Sequence, residues 1–136
     1  WSMAVFNNYI YAGTRNQNTG TGIWRSSDGT TWTNAEAGGF GNIYTVDTSC
    51  MVVFDNMLYI GTYTVNLGAE IWRSSDGTNW TQANTSGFGN SNNRSVKAMV
   101  TSGSYVYAGT YNNTTGCEVW RYYKEYIDPN ITGRLY

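Results

Sequence analysis

Short apolar runs broken by two-residue polar turns recur along this chain at a fixed interval. MAVF (Met3–Phe6), the pair Asn7-Asn8 and YIYAGT (Tyr9–Thr14) return as MVVF (Met51–Phe54), Asp55-Asn56 and MLYIGT (Met57–Thr62). They return again as MVTS (Met99–Ser102), Gly103-Ser104 and YVYAGT (Tyr105–Thr110). Met3, Met51 and Met99 are 48 residues apart, as are Gly13, Gly61 and Gly109. β-Branched and aromatic runs split by Asn, Asp or Gly pairs predict β-hairpins, because such turns need positive φ angles.

A polar loop follows each hairpin, and then a further apolar run: GIWRSS (Gly22–Ser27), EIWRSS (Glu70–Ser75) and CEVWR (Cys117–Arg121). The first two lead through Asp28-Gly29 and Asp76-Gly77 into TTWT (Thr30–Thr33) and TNWT (Thr78–Thr81). Each unit therefore predicts four short antiparallel strands, and no stretch carries a helical period. Leu58-Tyr59-Ile60 and Tyr9-Ile10-Tyr11 are apolar without alternation, the mark of a sheet covered on both faces. Four-stranded units of this length, stacked face to face, predict an all-β propeller. The chain is read as one domain, with blades at 1–36, 49–84 and 97–127 and a tail at 128–136. Gly13, Gly61 and Gly109 are expected where a neighbouring strand leaves no room for a Cβ.

Long Gly- and Asn-rich segments, Asn34–Ser49 and Gln82–Lys97, join the units, each containing GFGN (Gly39–Asn42 and Gly87–Asn90). These loops and those after the second strands fall on one rim. The third unit departs from the pattern after Arg121: Lys124 and Asp128 stand where Asp and Trp are expected. A variant fourth strand around Tyr122–Ile127 and an exit segment follow from that. Three units fall short of the four to eight blades that close a propeller. Closure is expected through a second copy making a six-bladed ring, a higher-order assembly, or further blades of a longer chain.

Charged residues are only 12% of the chain and the net charge is −1, which offers nucleic acid no basic surface. No apolar run reaches the length of a membrane helix. The polarity of Asn, Thr, Ser and Gly suits an extracellular or cell-surface protein. Sequons at Asn79, Asn84, Asn93, Asn112, Asn113 and Asn130 would permit N-glycans there. Cys50 and Cys117 fall at different repeat positions and form no metal spacing.

RSSDGTTW (Arg25–Trp32) and RSSDGTNW (Arg73–Trp80) resemble the Asp-box, or BNR-like, repeat of β-propellers. Ser26, Asp28, Gly29 and Trp32 match that pattern in kind, as do Ser74, Asp76, Gly77 and Trp80, with one residue fewer between Asp and Trp. The resemblance implies a structural hairpin: the Asp caps its own turn and the Trp is buried between sheets. It is lectin-like, similar to tachylectin-like propellers with sugar sites between blades, rather than sialidase-like. Arg25, Arg73 and Arg121 occupy one repeat position, which does not build the asymmetric arginine triad of a sialidase.

There is no histidine, so His-based triads and His metal sites are excluded. No catalytic residue, cofactor or metal is assigned. Glu70 and Glu118 are equivalent rim carboxylates, expected to be solvated, and too far apart in adjacent blades to act as a glycosidase pair. The leading expectation is carbohydrate binding, with Phe40, Asn42, Tyr44, Tyr63, Phe88, Asn90, Asn92, Tyr111 and Asn112 offering aromatic faces and amides beside those two acids. The bland alternative for Phe40 and Phe88 is that they plug the gap between blades. The next reading is a self-assembling surface or matrix protein without a small ligand. A fragment of an Asp-box hydrolase is a distant third.

Overall fold

The computed structural model describes residues 1–123. Among them every strand pairing is antiparallel, and the one helical element is the short 3-10 turn Ser86–Gly89. The first unit is a meander of β1 (Met3–Phe6), β2 (Tyr9–Gly13), β3 (Ile23–Ser26) and β4 (Thr33–Glu36), paired in that order. The second contains β5 (Thr45–Phe54), β6 (Met57–Thr64), β7 (Ile71–Ser74) and β8 (Thr81–Gln82), each paired with the next. The third has β9 (Ser95–Ser102), β10 (Tyr105–Tyr111) and β11 (Val119–Tyr123). Tyr122 and Tyr123, expected to open a fourth strand, belong instead to β11, and the rest of that strand and the tail 128–136 lie outside the described residues.

Register repeats with sequence. Ile10 faces Ser26, Leu58 faces Ser74 and Val106 faces Tyr122 across the second and third strands of their units. Consecutive units are also joined at equivalent points, by the bridges Arg15–Asp47 and Tyr63–Ser95. The second bridge merges units two and three into one seven-stranded sheet. The hairpin turns take the backbone their residues suggest: Asn7, Asn8, Asp55 and Asn56 all have positive φ, matching the right-handed strand twist.

Two boundaries differ from expectation. The first strands of units two and three begin at Thr45 and Ser95, so the joining loops are shorter than the Gly- and Asn-rich runs suggested. The fourth strands begin late, at Thr33 and Thr81. There the Asp carboxylate binds the backbone N–H groups of the next residues and holds them in a loop.

The apolar core lies between successive units. One cluster joins Phe6, Tyr11 and Ile23 of the first unit to Leu58 and Ile60 of the second. The other joins Cys50, Tyr59, Ala69 and Ile71 of the second to Val96 and Ala108 of the third. Unit two is therefore covered on both sides, and Leu58, Tyr59 and Ile60 are all buried. Among the described residues the outer units are covered on one side each. In β2 it is Tyr11 and Gly13 that are buried, in β10 Val106, Ala108 and Thr110. A fully buried Leu or Ile of this kind contributes about 1.5–3 kcal/mol.

The repeated glycines divide in the same way. A Cβ on Gly13 would collide with the Thr48 side chain, and one on Gly61 would lie 2.6 Å from Cys50 Sγ and 2.8 Å from Val96 Cβ. Gly109 breaks the expected pattern: nothing among the described residues lies within 4 Å of its Cβ position. It sits on the side of unit three against which no further unit packs among the described residues.

Candidate functional site

Both unit junctions carry the same polar and aromatic constellation. In the joining loops Phe40 and Phe88 adopt left-handed backbone, with φ of 60° and 57°. That conformation is a genuine outlier for a bulky residue. It lays each ring on the tryptophan of the following unit. Phe40 stacks on Trp72 with centroids 4.8 Å apart and planes 7° apart, and Phe88 on Trp120 at 4.9 Å and 12°. Trp80 adds an edge contact to Phe40 at 5.7 Å.

A carboxylate two residues before each stacked tryptophan fixes the indole. Trp72 Nε1 donates to Glu70 Oε2 at 3.0 Å, and Trp120 Nε1 donates to Glu118 Oε2 at 2.8 Å. Glu70 also accepts from Thr45 Oγ1 and Ser86 Oγ, each at 3.3 Å. Glu118 accepts from Asn93 Nδ2 at 2.9 Å. In the first unit Gly22 replaces the acid, and Trp24 is exposed. Trp72 and Trp120 were not singled out from the sequence as rim residues. Their signal was a constant offset of 32 residues from the Phe of each GFGN, 72 minus 40 and 120 minus 88.

The remaining candidates divide into interior and rim. Glu70 is only 6% exposed and Asn112 only 3%, which corrects the expectation of open, solvated rim groups. Glu70 is enclosed by the joining loops, where its three hydrogen-bond donors offset the cost of desolvation. Asn112 Nδ2 donates to Asn93 Oδ1 at 3.1 Å and Thr115 Oγ1 at 2.8 Å. Glu118 is half-buried. Asn42 and Asn90 tighten their own loops, accepting the N–H groups of Tyr44 and Asn92 at 3.0 Å. Tyr63, Phe40, Phe88 and Asn92 are half-buried, while Tyr44 and Tyr111 are exposed, the latter with the Lys97 ammonium 5.8 Å from its ring centroid. An apolar cavity of about 20 Å³ lies beside the Phe88–Trp120 stack, lined by Tyr59, Ile71, Val106 and Tyr122 among others. It has room for about one water, so a ligand at this junction would sit outside it.

The two Asp-Gly turns are near copies. Ser26 Oγ donates to Asp28 Oδ1 at 3.0 Å and accepts from Gly29 N, while Asp28 Oδ1 accepts from Thr30 N and Thr31 N at 2.8 and 2.7 Å. Ser74 and Asp76 repeat this with Gly77, Thr78 and Asn79, and Asn79 Nδ2 adds a bond to Asp76 Oδ2 at 2.7 Å. The N–H groups of Thr31 and Thr30 hold Asp28 well below the usual carboxylate range, and the Asn79 amide and N–H do the same for Asp76. Asp76→Ala should lower stability by about 1 kcal/mol in urea unfolding. Both turns should lose their contribution as pH falls below about 4, the ordinary value of the free acids.

Trp32 and Trp80 are half-buried rather than largely buried. Trp80 leans on the first junction, whereas no unit precedes Trp32 to cover it among the described residues. Each repeat arginine engages an aromatic side chain. Arg25 lies 4.6 Å from the Tyr9 ring centroid, Arg121 lies 4.9 Å from that of Tyr105, and Arg73 Nη1 donates to Tyr122 Oη at 3.2 Å.

Glu36 was not singled out by the sequence. Its Oε1 accepts the Phe40 N–H at 2.8 Å, but its buried Oε2 has no partner, and burial pushes its pKa up to about 7. The equivalent residue in unit two is Asn84, whose amide accepts from Ile71 N at 2.7 Å and donates to Ala69 O at 3.2 Å. Below about pH 4.5 the Glu36 proton is held in folded and unfolded chains alike. Between there and about pH 7 only the folded chain holds it, so stability falls as pH rises through that window and stays low above it. Because the group is half-exposed, screening reduces the loss to about 1–2 kcal/mol. Glu36→Asn should flatten that part of the stability–pH curve and stabilise the chain at neutral pH, as urea unfolding across the range will show.

Among the described residues no three His, Cys, Asp or Glu side chains come together to hold a metal ion. Cys50 and Cys117 are both free thiols, the first buried, with its pKa pushed up to about 12, and the second exposed. The chain matches no family model, and no curated protein or solved structure matches it.

Proposed function

We propose that the chain is a non-catalytic, carbohydrate-binding arc of propeller blades, each 48-residue unit one blade. The observation that carries the reading is the duplicated junction. Twice, a phenylalanine in left-handed backbone lies on a tryptophan whose indole N–H is held by a carboxylate. Strained residues kept in place by their surroundings mark ligand-handling positions. In this reading the half-exposed aromatic edges of Phe40 and Trp72, and of Phe88 and Trp120, lie under the C–H face of a sugar. Asn42 and Tyr63 at one junction, and Asn90 and Tyr111 at the other, surround its hydroxyls. Glu70 and Glu118 hold the tryptophans in position and take no part in bond cleavage. Two like sites on one body bind a multivalent glycan with avidity neither has alone. The resemblance of both Asp-Gly turns to the Asp-box supports the propeller assignment and a lectin-like role at a cell surface or outside the cell.

A glycan array with the intact chain tests this. Reproducible binding to a sugar class, lost in Phe40→Ala/Phe88→Ala while the far-ultraviolet circular dichroism is kept, is the expected result. Failure to bind any glycan would remove the lectin reading. The second reading, self-association without a small ligand, is favoured by the uncovered outer sides of units one and three.

A further inference from the structure

The two internal junctions are copies of one interface. In each, the third-strand Ile and second-strand Tyr of one unit (Ile23 and Tyr11, then Ile71 and Tyr59) pack against the following unit. Call this side the rear. The following unit presents its front: Leu58, Ile60 and Met51 at the first junction, and Ala108, Val96 and Met99 at the second. The 48-residue shift assigns both sides to the outer units. Tyr107 and Val119 of unit three occupy the rear positions, and Ile10, Ala12 and Met3 of unit one the front positions.

Among the described residues nothing covers either outer side. Ile23 is 0% exposed and Ile71 is 7%, yet Val119 at the same position is 72%. On the front, Met3 is 62% exposed while its equivalents Met51 and Met99 are half-buried. Gly109 leaves open the space that a neighbouring strand fills at Gly13 and Gly61. Each outer side thus carries apolar positions whose equivalents are buried at the internal junctions, save that the Val96 position has no counterpart among the described residues of unit one.

We propose that copies of this chain associate front to rear, unit one of one copy docking on unit three of the next through the apolar second-strand and third-strand positions used twice inside each chain. The occupant follows from continuity with the internal junctions: a surface that accepts unit two and unit three in succession fits the front of a further unit of the same kind. The contact is heterologous, so two copies that meet at both ends form a closed ring, and copies that do not close form a filament. The proposal is independent of glycan binding, which concerns the rims of the internal junctions.

Sedimentation velocity of the full chain with Met3→Asp and Val119→Asp variants tests it. Both residues are exposed enough for a charge to leave the unit folded, which circular dichroism checks. The expected result is concentration-dependent association of the wild type at micromolar levels. Each variant alone should be monomeric, and an equimolar mixture should form a heterodimer, because the intact rear of Met3→Asp meets the intact front of Val119→Asp. Closed rings and filaments both agree with the proposal. A wild type that stays monomeric throughout overturns it, as when residues 124–136 or a partner of other chemistry covers the rear. So does a Met3→Asp variant that self-associates as the wild type does, since the contact would then join like sides.

Discussion

Ile71→Ala should lower the unfolding free energy by about 2–5 kcal/mol, and Ile23→Ala by a similar amount, whereas Val119→Ala at low protein concentration should change it by less than about 0.5 kcal/mol. The three residues hold one repeat position on one kind of strand. Ile23 and Ile71 are enclosed between units, so truncation deletes buried methyl groups and leaves a cavity that the sheets close only in part. The site beside Ile71 already borders a small apolar void, so further loss of packing there is not readily repaired. Val119 is mostly in water, and its truncation removes little buried surface. Urea unfolding of the three variants below the concentration at which copies associate checks the ranking. Equal losses at all three positions would mean that the side of unit three carrying Val119 is covered in solution.

Gly61→Ala should destabilise the chain by about 1–3 kcal/mol, the usual cost of overpacking, and Gly109→Ala should be tolerated. The new methyl at position 61 would lie under 3 Å from Cys50 Sγ and Val96 Cβ, on the first strands of units two and three. Val96 Cβ is fixed to its backbone, so the sheets themselves must separate. At position 109 the same methyl meets nothing within 4 Å. In monomer the Gly109→Ala variant gains slightly by restricting the unfolded chain. Matched thermal melts of the two variants separate the cases, and a large loss at Gly109 would show a neighbour packed there.

Much of the site was legible only as parts. GFGN, the rim acids and the rim tyrosines could be read from composition and period. The pairing of Phe40 with Trp72 and of Phe88 with Trp120 could not, because it depends on which unit each loop leans against and on a left-handed φ that sequence does not favour for Phe. Glu70 and Asn112 read as rim groups because both are polar and near loops. Their burial follows from partners on separate segments: Thr45, Trp72 and Ser86 donate to Glu70, and Asn93 and Thr115 accept from the Asn112 amide. Glu36 was invisible for the opposite reason. Its repeat partner is Asn84, and nothing in the residue type reveals that one carboxylate oxygen is enclosed without a partner.

By itself the sequence determined the strands, the two-residue turns, the Asp-capped hairpins and the 48-residue spacing. These are local matters: alternating or β-branched runs, positive φ at Asn and Gly, and a carboxylate within reach of the next N–H groups. It determined that the register, once set in one unit, recurs in the others, since equal spacing brings Ile10, Leu58 and Val106 opposite equivalent partners. Only the tertiary structure decided which copies of a repeated residue are buried. Ile71 and Val119, or Gly61 and Gly109, are alike in sequence environment. They differ because burial of a face depends on whether another unit packs against it, and that contact lies between sheets rather than within a repeat.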